Sequence, residues 1–112
     1  DYLKIVDRVA SEGHMDELTV VDTFGGLNPH SVPYLIKKVK EHIPDKPIGV
    51  HFHDDFGLGA ATTIMGLASG ADIAHTSISG IGERAGNAPY EDVAMALLTM
   101  YGVDTGLRYE KI

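Results

Sequence analysis

The chain has 112 residues, 44% hydrophobic and 22% charged, which bounds it to one small domain with a real core and an ordinary globular balance. A net charge of −7 without any basic cluster argues against a nucleic-acid or anionic-membrane surface. Cysteine is absent, which excludes a disulfide framework and thiol chemistry and fits a reducing, cytoplasmic compartment; no apolar run approaches the ~18 residues of a membrane span.

Asp1-Tyr2-Leu3-Lys4 is not a signal peptide and lacks an initiator Met, so the chain is expected to begin inside a longer product. Tyr2, Leu3, Ile5, Val6, Val9 and Ala10 recur with helical spacing, and Gly13 is placed to end that helix. Leu18-Thr19-Val20-Val21 reads as a strand stopped by Asp22-Thr23-Phe24-Gly25-Gly26. Asn28 and Ser31 are candidate caps for a helix carrying Val32, Leu35, Ile36 and Val39, with Pro33 in its first turn. Pro44 and Pro47 bracket a turn before a second strand, Ile48 to Phe52. A helix rich in Ala, Met, Ile and Leu follows from Leu58 to Ala68, closed by Gly70. Ala71 to Ile78 is the third strand, Ser79 to Asn87 a polar glycine-rich loop, and Tyr90 to Tyr101 the last helix.

The order is one helix, then three repeats of strand, loop and helix. Strands start roughly every 25 to 30 residues, the period of a β/α unit, so they are expected to be parallel. Their Val and Ile content with little alternation suggests strands covered on both faces. The fold class expected is α/β, one domain or part of one, with three parallel β/α units.

The polar clusters share an address. Asp22-Thr23, His51/His53 and the Gly80–Asn87 loop all follow a strand, at the carboxyl edge of the sheet where α/β proteins bind ligands. His51 and His53 are two apart, so on a strand both rings point to one face, which suits a shared metal ion; a pair of hydrogen-bonded core histidines is the alternative. Asp22-Thr23 reads either as an Asx-type turn or as a carboxylate and hydroxyl aimed at a small polar substrate. Of Asp54 and Asp55, one is expected to cap the next helix and the other to hold a histidine ring from behind. The loop Ser79-Gly80-Ile81-Gly82-Glu83-Arg84-Ala85-Gly86-Asn87 has three glycines beside Glu83, Arg84 and Asn87; a solvated loop with an internal ion pair is the plain alternative. His75 reads as a packed or edge histidine, and His14, His30 and His42 as solvated.

These residues carry a resemblance. Val50-His51-Phe52-His53-Asp54-Asp55-Phe56-Gly57-Leu58-Gly59 resembles the metal-binding strand of the DRE-TIM metallolyase superfamily. Gly80-Ile81-Gly82-Glu83-Arg84-Ala85-Gly86-Asn87-Ala88 resembles the loop of its 2-isopropylmalate, citramalate and homocitrate synthase group, and Val21-Asp22-Thr23-Phe24-Gly25 and Tyr101-Gly102-Val103-Asp104-Thr105-Gly106 are similar to segments of the same proteins. The resemblance covers nearly the whole chain. It implies an HMGL-like (β/α)8 TIM barrel, of which residues 1–112 are the C-terminal portion: its sixth to eighth units behind the fifth helix.

The implied chemistry is a metal-dependent Claisen-type condensation of acetyl-CoA with a 2-oxo acid. His51 and His53 resemble the metal-ligating histidines of a Zn, Mn, Mg or Co site, and Asn87 the loop asparagine close to the metal. Thr23 resembles the threonine that binds the 2-oxo acid carboxylate, Glu83 an active-site glutamate on the acetyl-CoA side, and Arg84 a brace of the loop. Asp54 stands where many members have Asn, and Thr62-Thr63 where many have Ala-Asn. No Asp-Arg-Glu motif is present; Asp7-Arg8-Val9 lies on the predicted helix with the wrong third residue. Open sheet edges lead to the expectation of a homo-oligomer or of pairing with the remainder of the barrel, with little activity alone. A metal-dependent lyase and a silent half-barrel are the alternatives.

Overall fold

A computed structural model describes all 112 residues. The order of elements is α1 (Tyr2–Glu12), β1 (Leu18–Asp22), α2 (Val32–His42), β2 (Ile48–Phe52), α3 (Gly59–Ala68), β3 (Ile73–His75) and α4 (Tyr90–Tyr101), with short 3-10 turns at Ile78–Gly80 and Tyr109–Lys111. The strands form one parallel sheet in the order β1-β2-β3. The α/β expectation therefore holds, with β2 in the centre.

Local chemistry accounts for most boundaries. α1 ends where the Gly13 N–H bonds the Val9 carbonyl at 2.8 Å. α2 starts at Val32-Pro33, where the missing proline N–H has no helical partner to lose. Ser31 is the residue at its cap position but makes no side-chain cap; Asn28 Oδ1 accepts from the His30 and Ser31 N–H groups instead, each at 3.0 Å. Asp54 Oδ1 accepts from the Gly59 N–H at 2.7 Å and so serves the start of α3 from five residues away. Gly102, at φ +67, gives α4 a left-handed end that a side chain would resist.

The helices cover one face of the sheet. Val20, Ile48, Val50 and Phe52 are buried there with Val32, Ile36, Val39 and Ile43 of α2 and its end, and with Val6 of α1. Gly66 lets α3 approach β2; a Cβ on it would sit 3.1 Å from Val50 Cγ1. The opposite face bears Thr19, Val21, Gly49, His51, Ile73 and His75, and Val21 is 54% exposed. Coverage of both faces, expected from the Val and Ile content, is thus corrected: this chain covers one.

The third strand is also shorter than its sequence suggests. Only Ile73–His75 pairs with β2. Asp72 docks on Ile48 by its N–H at 2.7 Å and by its carboxylate at 2.9 Å, fixing where the strand begins. Beyond His75 the backbone is claimed by the returning loop: Ser77 N–H bonds Ala88 O at 3.1 Å, and Tyr90 N–H bonds Ser77 O at 2.9 Å. His42, partly exposed, also bonds Asp7, tying α2 to α1.

Candidate metal centre

The three loops at the carboxyl ends of the strands meet on one rim. After β1, Asp22 accepts from the Gly26 N–H at 3.0 Å and the Leu27 N–H at 2.8 Å. Its carboxylate is thereby committed to the turn, and the reading as a substrate-facing group is set aside. Thr23 is exposed beside it.

At the end of β2, His51 and His53 stand on one face as their spacing requires, ring centres 5.2 Å apart. Two imidazoles each binding one ion at about 2.1 Å bring their ring centres to about 5 Å from each other, so the pair fits a shared cation. Residue 75 sits opposite residue 51 in the register, and the His75 ring lies 5.7 Å from that of His51. That third imidazole was visible in the sequence only as an isolated edge histidine; strand register is what brings it in. Burial first, then His53 and His75, holds the His51 ring below the ordinary imidazole value, which favours its neutral form.

The loop after β3 folds back on the tip of β2. Asp54 N–H bonds Gly86 O at 2.9 Å and Ala88 N–H bonds Phe52 O at 3.0 Å, bracketing His53 and Asn87 as an antiparallel pair. In that kind of pair the opposed residues exchange no backbone bonds and their side chains stand closest. Asn87 therefore lies beside His53, on the same end as the histidines. Its Oδ1 is buried without a hydrogen-bond partner, a state that a cation or an ordered donor would relieve. Gly82 makes room for the amide: a Cβ there would fall 2.7 Å from it. A Cβ at Gly86, at φ +108, would overlap the Gly80 carbonyl.

Arg84 locks the rim together. It donates to Asp55 through Nε at 2.8 Å and Nη2 at 3.0 Å, to the Thr23 carbonyl, and towards His53 Nδ1 at 3.2 Å. The Arg84 guanidinium holds the Asp55 carboxyl below the usual carboxylate range. Asp55 thus reaches the histidine only through Arg84, a correction to the direct contact expected of one aspartate. Arg84 spans all three loops rather than bracing its own; nothing in the sequence ties it to residues 29 and 61 positions away. Glu83 points to solvent, its side chain 80% exposed and 3.7 Å from Arg84 Nη1.

His51, His53 and the Asn87 oxygen fit a divalent ion as part of a donor set. No three His, Cys, Asp or Glu side chains of this chain converge as ligands, so an ion held here would need further donors.

A family model described as HMGL-like matches residues 1–112. The chain belongs to the HMGL-like family. It is 42% identical over 110 residues to the homocitrate synthase AksA of Methanopyrus kandleri, covering 98% of this chain and 28% of that protein. It is 41% identical over 112 residues to the 2-isopropylmalate synthase of Methanocaldococcus jannaschii, covering 100% of this chain and 21% of that one. Among solved structures, an HMG-CoA lyase from Acinetobacter baumannii in complex with coenzyme A and 3-methylmalate superimposes with a TM-score of 0.83 at 23% identity, over 97% of this chain and 37% of the other. That likeness concerns the fold. The chain spans about a quarter of the length of the relatives it matches, and its three strands are part of an HMGL-like TIM barrel.

Proposed function

We propose that this HMGL-like chain is the C-terminal portion of the catalytic barrel of a cytoplasmic synthase that condenses acetyl-CoA with a 2-oxo acid. The observation that supports the reading is the rim itself: two histidine rings 5.2 Å apart on one face, with an unpartnered asparagine oxygen beside His53. Identity of about 40% to homocitrate and 2-isopropylmalate synthases supports the reaction class.

His51 and His53 would hold a divalent ion (Zn, Mn, Mg or Co), with Asn87 Oδ1 as a third donor. When bound, such an ion polarises the ketone of the 2-oxo acid as a Lewis acid. His51, kept neutral by burial and its neighbouring rings, keeps a lone pair near pH 7. The Thr23 hydroxyl, exposed on the rim, binds the substrate carboxylate, and Glu83 serves the acetyl-CoA side. The remaining groups come from the rest of the barrel or from a second chain.

Calorimetric titration with Co2+ tests the reading. Uptake by this chain that disappears in a His51→Ala, His53→Ala variant supports it; no uptake favours a silent scaffold. The isolated chain is expected to show little condensation activity with acetyl-CoA and 2-oxo acids.

A further inference from the structure

The bonds of Arg84 bear on how His53 meets a cation. A guanidinium carries five donors and no acceptor. The His53 nitrogen that faces Arg84 Nη2 at 3.2 Å is therefore the one with the lone pair. In the neutral ring the proton then sits on Nε2. An imidazole ligates through a lone pair, and while Nδ1 accepts from Arg84 and Nε2 carries hydrogen, His53 has none to give.

The contact is also the one Arg84 holds least firmly. Nη2 has two hydrogens and faces three acceptors: the Thr23 carbonyl, Asp55 Oδ2 at 3.0 Å and His53 Nδ1 at 3.2 Å. The histidine contact is the longest of them. Its loss leaves Arg84 anchored to Asp55 and Thr23, so the rim survives the exchange.

We propose that Arg84 is a positioning residue that withholds His53 from a divalent cation, so that ion uptake and the Arg84–His53 hydrogen bond exclude each other. The proposal rests on the metal site proposed above. On release, Nδ1 is free to ligate, or the ring proton moves to Nδ1 through solvent and Nε2 is free. The rim is thus organised before an ion arrives, and the ion displaces only the weakest bond in it.

Two measurements on the whole chain test this. Nitrogen NMR of the metal-free chain is expected to show His53 as the Nε2–H tautomer; an Nδ1–H tautomer overturns the proposal. Co2+ titration is then compared between the natural chain, Arg84→Lys and Arg84→Gln. Lysine keeps the charge but not the planar fork, so both variants are expected to bind roughly threefold to tenfold tighter, the net worth of one ordinary hydrogen bond. Weaker binding in both shows a brace that the site requires, and tightening in Arg84→Gln alone shows simple charge repulsion; either result overturns the proposal. If the natural chain binds Co2+ and the double histidine variant does not, but Arg84→Lys gains nothing, this inference fails alone. If the natural chain takes up none, the metal reading fails and this one with it. Should Arg84→Lys unfold in a thermal melt, the tautomer of the natural chain decides.

Discussion

The two faces of the sheet differ in what holds them. On the helix side, Val20, Ile48, Val50 and Phe52 are sealed under α1 to α3 and are at most 3% exposed. On the other side, Thr19, Val21, His51 and His75 stand half-open, and no element of this chain covers them. One face supplies burial, which folds the chain; the other supplies donors, which fold nothing by themselves. The core and the candidate site are thus separated across a single layer of backbone, and substitutions on the two sides should behave differently.

The largest contrast is expected at Phe52, fully buried between two histidines that face the other way. Phe52→Ala should lower stability by about 3–5 kcal/mol in a urea melt, a large share of what a domain of this size has. A loss below about 1 kcal/mol would show that the helix side is not what holds the sheet. Gly86→Ala comes next. Its backbone conformation is one side chains avoid, and the Cβ has no space, so a penalty on the order of 1–3 kcal/mol is expected. The effect should be confined to the rim: the Asp54 amide, bonded to Gly86, should lose hydrogen-exchange protection while Val50 keeps it.

A smaller effect is expected in acid. The Ile48 N–H, then Lys40, holds the Asp72 carboxyl below its ordinary value, and Arg84 does the same for Asp55. A folded-state value below the unfolded one means that the unfolded chain takes up protons first. The contribution is therefore complete above pH ~4 and is lost as pH falls through that value towards the folded-state one. Melting temperature followed against pH should drop less steeply for Asp72→Asn than for the natural chain over that window. Equal slopes would show that the tether at the start of β3 does not couple to folding. The smallest change in stability is expected on the open face: Val21→Ser should stay within about 0.5 kcal/mol. A clear loss there would mean that this face is covered in solution, by a second copy or another chain.

Much of this was legible in the chain itself. Apolar recurrence placed all four helices, because each must bury a stripe and the stripe has a fixed period. The His51-x-His53 alternation announced a shared face, because a strand allows no other outcome. Motifs after each strand gave the address of the site. Less was readable where a residue's partner lies far along the sequence. Asp22 suits a turn and a site equally by its residue type, and its bonds to the Gly26 and Leu27 N–H groups show its part in the turn; Asp55 meets Arg84 from 29 positions away.

The sequence by itself determined the α/β order, the parallel sheet and the common edge on which His51, His53 and Asn87 are found, since these follow from short-range periodicity and from turn chemistry. Only the tertiary structure decided that β3 stops at His75, that His75 stands beside His51, and that Arg84 reaches three loops at once. Those outcomes depend on competition among distant hydrogen-bond partners and on strand register, and neither is written in any local stretch of residues.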